Sequence, residues 1–386
     1  MFGCLNLPWS SLQSCWHALR LCLRREVTEE EKVAKDTSAK IDRDLIEHAK
    51  LESHVVKVLL LGAAESGKST LMKQIKILHN NGFSKEELLS FKPAVMDNLL
   101  NSMKMVLRGM GLLRINLAHQ RNKEHAQSVL SCDWCVGEEA ELRPFLAQAF
   151  CCLWADQGVK LAAAQGHDYQ LNDSALYFFD NINRIISPNY VPTETDVLRV
   201  RVRTTGVLET QFCAGQFIFR LFDVGGQRTQ RRKWLRFFDG ARALLFLVDL
   251  SRYDLGAMQY DLHTRTDSSR GCLQESLQLY SSVCLNPIFK QAALILFMNK
   301  MDLFEKKILH SGRHLRLFLP AFQGADCDVS GAAGFITGLF TEELCVSSQP
   351  VYHHYTTAID TSCVRDIFPT VIDCISKGHL ASMHTL

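Results

Sequence analysis

A glycine-rich loop between a strand-like run and a helix-like run constrains the fold of this chain more than any other feature. Residues 62–70 read GAAESGKST and fit the pattern G-x-x-x-x-G-K-[ST]. The apolar, β-branched run at 55–61 predicts a buried strand before the loop, and apolar residues at helical spacing over 71–78 predict a helix after it. The order strand, loop, helix predicts a phosphate-binding loop, in which backbone N–H groups and the positive end of the helix dipole face phosphate oxygens.

Individual side chains of this loop have separate predicted roles. Lys68 is expected to reach the outer phosphates of a nucleotide, and the Ser69 hydroxyl is expected to ligate Mg²⁺. A chance glycine loop is the alternative, but it does not account for the intact Lys-Ser-Thr ending between these two runs. The predicted nucleotide contacts in the loop are Glu65, Ser66, Gly67, Lys68, Ser69 and Thr70.

A second glycine motif, DVGGQ at 223–227, follows the apolar run at 217–222. Here Asp223 can hold Mg²⁺ through water, Gly226 can offer its N–H to a γ-phosphate, and Gln227 can orient an attacking water. A strand that simply ends in a glycine turn is the alternative. The predicted nucleotide contacts of this motif are Asp223, Val224, Gly225, Gly226 and Gln227.

Two further motifs follow strand-like runs and predict the base. The sequence NKMD at 299–302 follows an apolar run, and the carboxyl ends of parallel strands are where open α/β sheets bind ligands. The Asp302 carboxylate can accept both N–H donors on the edge of guanine, whereas adenine offers no matching pair. Ala358, after the strand-like run at 351–355, can offer its N–H to guanine O6. The predicted contacts here are Asn299, Lys300, Asp302 and Ala358.

These four motifs, in this order, resemble those of the alpha subunits of heterotrimeric G proteins, and the resemblance covers nearly the whole chain. Small Ras-like GTPases share the core motifs but lack the long stretch between them. A P-loop ATPase or kinase would lack the N-K-x-D motif and is therefore disfavoured. The segments that carry the resemblance are 41–45, 171–175, 188–193, the first switch at 196–206, the second switch at 223–234, and 320–324.

The resemblance implies how the reacting phosphate is handled. Arg201 matches the built-in arginine finger of the family, which stabilises charge on the transferring phosphoryl group, and Gln227 positions the water, so these two are the expected catalytic residues. Thr204 is expected to complete the Mg²⁺ shell together with Ser69. The remaining nucleotide contacts implied by the resemblance are Asp173, Ser174, Leu198, Arg199 and Val200.

Two ion pairs are also expected from the resemblance. Glu65 is expected to hold Arg201 in the GDP state. Arg231 on the second switch and Glu275 on the following helix are expected to pair in the GTP state. We therefore expect each pair to belong to one nucleotide state.

The spacing of the motifs predicts the domain organisation. Ser69 and Thr204, the two predicted Mg²⁺ ligands, lie 135 positions apart, and the intervening stretch has apolar residues at helical spacing. The predicted fold is α/β, with a Ras-like P-loop GTPase domain built on a mostly parallel sheet at 55–82 and 200–386. An all-helical domain at 83–199 is inserted into it, and an N-terminal helix lies within 1–54.

Composition excludes several other classes of protein. A chain of 386 residues with 47% hydrophobic residues can bury more than one core. A net charge of +2 gives no reason to expect a nucleic-acid partner, and no apolar run approaches the ~20 residues needed to span a bilayer. Fourteen cysteines without a secretory signal favour reduced intracellular thiols, and the lone C-x-x-C at 132–135 is interpreted as a chance spacing.

The N-terminal segment predicts attachment to a membrane surface. Residue 2 is Phe rather than Gly, so N-myristoylation is not expected. Apolar residues over 9–23 fall on one helical face beside several arginines, as in a membrane-surface helix. A cleaved signal peptide is the alternative, but the segment lacks a basic start and a clear cleavage site. The candidate palmitoylation sites are Cys4, Cys15 and Cys22.

The functional expectation is a GTP-binding switch with Mg²⁺ as cofactor and GTP or GDP as ligand. By resemblance its partners are a beta-gamma dimer, carried by the polar helix that starts near Thr28, a seven-helix membrane receptor, and a downstream effector enzyme or channel. Its expected place is the cytoplasmic face of the plasma membrane. The alternative is a nucleotide-binding signalling scaffold whose hydrolysis is nearly lost.

Two departures from the family pattern bear on this expectation. Ala64 stands where the family usually has Gly, and its methyl group is expected to crowd the transition state of hydrolysis. Pro369 falls inside the expected last helix, so that helix is expected to start late, kink or be less regular.

Overall fold

The computed structural model describes residues 29–133, 144–204, 206–255, 271–342 and 351–383. Cys4, Cys15 and Cys22, the membrane-surface helix and part of the C-x-x-C lie outside the described residues. The chain divides into two units between Val55 and Val56. In the first unit, α1 (Glu29–Ser53) is a polar helix with exposed side chains over 32–47.

The second unit is built on a six-stranded sheet of described residues with the order β2-β3-β1-β4-β5-β6. The pairs β1–β4, β4–β5 and β5–β6 are parallel, and β2–β3 is an antiparallel hairpin. The predicted mostly parallel sheet is therefore confirmed. The strands are β1 (Val55–Gly62), β2 (Val207–Ala214), β3 (Phe217–Val224), β4 (Ala243–Asp249), β5 (Ala293–Asn299) and β6 (Val351–Thr356).

The helices of the second unit fall before β2 and after β3. Those before β2 are α2 (Lys68–His79), α3 (Lys85–Ser90), α4 (Lys92–Leu113), α5 (Asn122–Ser131), α6 (Pro144–Ala155), α7 (Gln157–Ala164), α8 (Ala175–Asp180), α9 (Ile182–Ile185) and α10 (Glu194–Arg199). Those after β3 are α11 (Leu235–Phe238), α12 (Cys272–Cys284), α13 (Met301–His310), α14 (Val329–Glu342) and α15 (Thr361–Met383). Short 3₁₀ turns occur at Gly166–Asp168, Arg231–Lys233, Leu250–Arg252, Pro287–Phe289 and Leu315–Leu317.

The sheet carries a separate apolar core on each face. Successive side chains of a strand point to opposite faces, so Leu59 and Leu61 join the core under α12, α13 and α14, whereas Val58 and Leu60 join the core under α2 and α15. A third core lies among α4 to α9, where α4 contributes apolar residues at helical spacing. The helical stretch between α2 and β2 therefore packs around apolar residues of its own.

The parallel register places the predicted motifs at one edge of the sheet. Gly62 lies opposite Leu247, and Asn299 lies opposite both Asp249 and Thr356. Since the carboxyl ends of parallel strands meet at the same edge, the glycine loop after β1 and the motifs after β5 and β6 come together there.

The last helix differs from the sequence expectation. It begins at Thr361, eight residues before Pro369, so the expectation of a late start is wrong, whereas a kink or a less regular helix at Pro369 stays a prediction. Asp360 accepts hydrogen bonds from the Ser362 N–H at 2.9 Å and the Ser362 hydroxyl at 2.6 Å, which hold the start of the helix. Burying an apolar side chain gains about 1.5–3 kcal/mol, so several together outweigh the ~3 kcal/mol that an internal proline costs. The buried apolar residues of this helix are Val364, Phe368, Val371 and Ile375.

Among the described residues, none of the helices combines the length and the apolar character that a bilayer span requires.

Candidate nucleotide site

The backbone of the glycine loop fits into a narrow space between two strand ends. Gly62 and Gly67 have φ values of 139° and 104°, which favour glycine. A Cβ on Gly62 would overlap the carbonyl oxygen of Leu247, and one on Gly67 would overlap the amide nitrogen of Asn299. The loop therefore follows the path that the glycine spacing predicts, with Thr70 in the first turn of α2.

The Lys68 ammonium group is buried against the backbone of this loop. It donates to the carbonyl oxygens of Ala63 at 2.7 Å and Gly62 at 3.1 Å. Burial lowers the pKa of Lys68 to about 8, although the nearby Asp223 carboxylate opposes the shift. A buried ammonium group held by carbonyl dipoles is suited to bind an anion in their place, as the sequence predicts for phosphate.

Three oxygen-bearing side chains meet beside the loop. The Ser69 hydroxyl lies 2.8 Å from the Thr204 hydroxyl and donates to the Asp223 carboxylate at 2.5 Å. The second oxygen of Asp223 is buried and has no hydrogen-bond partner among the described residues. Burial raises the pKa of Asp223, although the charges of Lys68 and Lys73 and the hydrogen bonds from Ser69 and Thr204 oppose the shift. Hydroxyl and carboxylate oxygens are the ligands that Mg²⁺ prefers, so this donor set fits the predicted cation.

Glu65 lies between two arginines. Its carboxylate pairs with Arg201, as the resemblance implied, and also with Arg252, which the sequence analysis did not identify. Burial opposes ionisation of Glu65, but the charges of Arg252 and Arg201 lower its pKa overall. The predicted arginine finger is thus held beside the loop through a shared carboxylate.

The second switch packs directly on the glycine loop. A Cβ on Gly226 would lie 2.5 Å from the Lys68 ammonium nitrogen and 2.6 Å from the Ala63 carbonyl oxygen, so only glycine fits there. The Gly225 carbonyl oxygen accepts a hydrogen bond from the Trp234 indole at 3.0 Å. Val224 is buried in the core, and Gln227, half-buried, follows these glycines.

The two expected ion pairs occur together. Arg231 lies 2.7 Å from Glu275, as expected for one nucleotide state, while Arg201 and Glu65 form the pair expected for the other. Arg228 also reaches Glu275, at 3.2 Å. One backbone arrangement therefore accommodates both pairs, and their assignment to different nucleotide states stays a prediction.

Asn299 links the glycine loop to the two motifs that are predicted to bind the base, the N-K-x-D motif and the segment at Ala358, which are called the base-side motifs below. Its buried amide group donates to the Ser66 carbonyl oxygen at 2.8 Å. Its carbonyl oxygen accepts from the Ala358 N–H at 3.0 Å and the Thr356 hydroxyl at 3.1 Å. The Ala358 N–H that was predicted to face guanine is thus bonded to Asn299 here. Asp302 lies half-buried nearby, and burial raises its pKa.

Comparison with known proteins shows the family of this chain. A family model described as G-protein alpha subunit matches residues 35–375. A guanine nucleotide-binding protein G(o) subunit alpha from Geodia cydonium is 42% identical over 359 residues, which cover 93% of this chain and 98% of that protein. This chain belongs to the G-protein alpha subunit family. It is a guanine nucleotide-binding, signal-transducing subunit with GTPase activity.

Lys300 of the N-K-x-D motif links this site of the alpha subunit to the helical stretch. Lys300 lies 2.5 Å from Asp173, in the loop before α8, and 2.6 Å from Asp249, at the end of β4. The adjacent Ser174 is buried. Asp173 therefore lies beside Lys300 of the N-K-x-D motif, and contact of Asp173 and Ser174 with the nucleotide stays a prediction.

The side chains just before Arg201 are buried or partly buried. Leu198 and Val200 are buried, and the Val200 carbonyl oxygen accepts a hydrogen bond from Lys73 at 3.2 Å. The Arg199 guanidinium group lies over the Tyr177 ring, 4.6 Å from its centroid. Any contact of Leu198 and Val200 with nucleotide would therefore use main-chain atoms.

A buried carboxylate fixes this segment in the alpha subunit. Asp196 accepts hydrogen bonds from Arg184 at 2.7 Å, the Tyr177 hydroxyl at 2.8 Å, the Thr193 N–H at 2.8 Å and the Tyr190 hydroxyl at 3.0 Å. Burial opposes ionisation of Asp196, but the bonds from Arg184, Thr193 and Tyr177 lower its pKa to about 2. The start of the first switch is therefore held by charge-assisted hydrogen bonds.

Several polar residues that shape this site were not among the sequence predictions. Asp249 is the last residue of β4 and Arg252 lies three residues beyond it, and polar residues at strand ends were the signal that marked the other motifs. Arg313 pairs with Asp254 at 2.6 Å and with Asp168 of the helical stretch at 3.3 Å. No local pattern marks Arg313, because its two partners come from distant parts of the chain.

Proposed function

We propose that the site between the glycine loop and the base-side motifs binds GTP or GDP together with Mg²⁺. The observation that carries this proposal is the cluster of Ser69, Thr204 and the unpartnered oxygen of Asp223 next to the buried Lys68. Asp302 would read guanine from the other end of the site. Bound Mg²⁺ would offset charge on the phosphate oxygens.

The proposed catalytic residues are Arg201 and Gln227. Arg201 must exchange its contact with Glu65 for one with the γ-phosphoryl group, where a guanidinium group stabilises developing charge. Gln227 would orient the attacking water, since it follows the Gly226 backbone that packs on the loop. Both groups act mainly in the transition state, so they are proposed to set the rate rather than the affinity.

The proposed domain organisation assigns 55–82 and 200–386 to the Ras-like GTPase domain and 83–199 to the inserted helical domain. The separate core of α4 to α9 supports this division. In this proposal, domain contacts such as Lys300–Asp173 must open for nucleotide exchange.

The proposed partners are a beta-gamma dimer, a seven-helix membrane receptor and an effector enzyme or channel. Helix α1 supports the first, because it exposes apolar side chains that a partner helix or sheet could cover. These residues are Val33, Ile41, Leu45 and Ile46. The proposed location is the cytoplasmic face of the plasma membrane, with lipid attached to one or more of Cys4, Cys15 and Cys22.

Single-turnover hydrolysis tests the catalytic assignment. We expect Arg201→Cys to slow GTP hydrolysis by about 10³-fold or more, and Gln227→Leu to slow it as well, while GTP affinity changes little. Arg232→Ala is a matched control, because this second-switch arginine is exposed. Parent-like hydrolysis by Arg201→Cys would show that Arg201 is not the arginine finger.

A further inference from the structure

A side chain of the helical stretch holds the main chain of Arg201. Asn98, in α4, donates from its amide nitrogen to the Arg201 carbonyl oxygen at 2.9 Å, and the Arg201 N–H donates to the Asn98 carbonyl oxygen at 3.0 Å. The amide thus bonds both polar groups of one peptide residue. Two parallel hydrogen bonds of this kind fix the direction of the backbone as well as its distance.

The Asn98 amide has one orientation that satisfies its surroundings. Its second N–H donates to the Ala94 carbonyl oxygen within α4 at 2.8 Å, and its carbonyl oxygen also accepts from Asn172 at 3.4 Å. Both donors and both acceptor positions of the amide are used. An amide flip would place nitrogen against the Arg201 N–H and oxygen against two carbonyl oxygens, so the bonding pattern itself sets the orientation.

The place of this contact along the first switch matters. The residues just before Arg201 are fixed, since Asp196 holds the start of α10 and Lys73 holds the Val200 carbonyl oxygen. Residues 201–204 have no regular secondary structure, and the side chains of 201–203 are exposed. The Asn98 contact is therefore the last fixed point of the main chain before an exposed segment that includes the proposed arginine finger.

We propose that Asn98 is a positioning residue for GTP hydrolysis, which acts by fixing the main chain of Arg201 from the helical stretch. This inference rests on the proposed role of Arg201. With the main chain fixed, only the side-chain torsions of Arg201 must be ordered when it leaves Glu65 for the γ-phosphoryl group. Without Asn98 the backbone must be ordered as well, and that ordering costs free energy at the transition state.

The same contact joins the helical stretch to the rest of the site. Asn172, which supports Asn98, precedes Asp173, whose carboxylate pairs with Lys300. Loss of Asn98 should therefore loosen the helical stretch as well as Arg201. We expect faster GDP release alongside slower hydrolysis.

Asn98→Ala provides the main test, in single-turnover hydrolysis by the full chain with Mg²⁺ and GTP. We expect a rate about tenfold lower than the parent, as for the loss of two hydrogen bonds of ordinary net strength. The affinity for a slowly hydrolysed GTP analogue should stay within about twofold, because Asn98 is proposed to act in the transition state. Asn101→Ala is the matched control, since Asn101 lies exposed on the same helix and should leave the rate unchanged.

A double variant separates positioning from general structural damage. In an Arg201→Cys background, Asn98→Ala should lower the rate no further, because its effect acts through the arginine. An undiminished second drop in rate would overturn the proposal, and so would a parent-like rate in the single variant. Asn98→Asp provides a second substitution if the alanine variant fails to fold. It keeps the acceptor for the Arg201 N–H but sets oxygen against the Arg201 carbonyl oxygen, so it should also slow hydrolysis.

The experiment tests the role of Arg201 separately from the role of Asn98. If Arg201→Cys itself hydrolyses GTP at the parent rate, the proposed role of Arg201 fails, and the role of Asn98 fails with it. If Arg201→Cys is slow while Asn98→Ala is parent-like, the arginine finger stands and only the positioning role of Asn98 is overturned.

Discussion

Replacing Ala64 by glycine should speed GTP hydrolysis by this alpha subunit. The positive φ values of the glycine loop fall at Gly62, Glu65 and Gly67 and not at Ala64, so the alanine is not strained by its own backbone. Its methyl group should therefore be tolerated when nucleotide is bound in the ground state. The expected conflict lies in the transition state, when Gln227 and Arg201 approach the phosphate.

The packing of the second switch indicates how little room that approach has. At Gly226 an added carbon would lie 2.6 Å from the Ala63 carbonyl oxygen and 2.7 Å from the Gly62 carbonyl oxygen. Forcing an extra methyl group into packed space commonly costs about 1–3 kcal/mol. A transition-state penalty of ~1.4 kcal/mol corresponds to a tenfold lower rate, which is the gain expected for Ala64→Gly.

Stability should change in the opposite direction to rate. Glycine adds conformational freedom to the unfolded chain, so Ala64→Gly should lower the free energy of unfolding by about 0.5–1 kcal/mol. The measurements are single-turnover hydrolysis, affinity for a slowly hydrolysed GTP analogue, and thermal denaturation. Ala63→Gly is the matched control for backbone flexibility, because it loosens the same loop without removing the methyl group of Ala64. Equal rates for the parent and Ala64→Gly would refute the crowding argument, and equal acceleration by both variants would attribute the effect to flexibility.

Three other perturbations have defined outcomes. Asp302→Asn should weaken GTP binding and favour xanthosine triphosphate, because the carboxylate no longer accepts both donors of guanine; binding titrations with both nucleotides check this, and an unchanged guanine preference would contradict it. The pKa of Asp196 is about 2, below its ordinary 3.8. Ionised Asp196 therefore contributes about 2 kcal/mol to the free energy of unfolding above pH 4, and this contribution is lost as the pH falls towards 2. Asp196→Asn should therefore be less stable at pH 7, with a smaller difference from the parent near pH 2 in thermal denaturation. Joint replacement of Cys4, Cys15 and Cys22 by serine should move the protein from the membrane to the soluble fraction, since stable anchoring takes acylation plus a second signal; retention would indicate beta-gamma or the apolar helix alone.

Local sequence predicted four of the six strands, the glycine loops and the kind of ligand. The glycine loop after β1, the glycine pair after β3 and the N-K-x-D motif after β5 could each be recognised within about ten residues. Strand alternation and glycine conformations are short-range properties, because they depend on the steric limits of one residue and its neighbours. The guanine-nucleotide ligand was therefore predictable from local motifs, whereas the pairing of Ser69 with Thr204 came from the family resemblance.

Tertiary structure alone decided which distant side chains complete that site. Arg252 reaches Glu65 across 187 positions, and Asn98 reaches Arg201 across 103, and neither contact leaves a local pattern in the sequence. In the last helix, likewise, burial of the apolar face outweighs the local preference of Pro369 against a helix interior. A local preference is worth a few kcal/mol at most, whereas packing sums many contacts, so the folded arrangement decides wherever the two disagree.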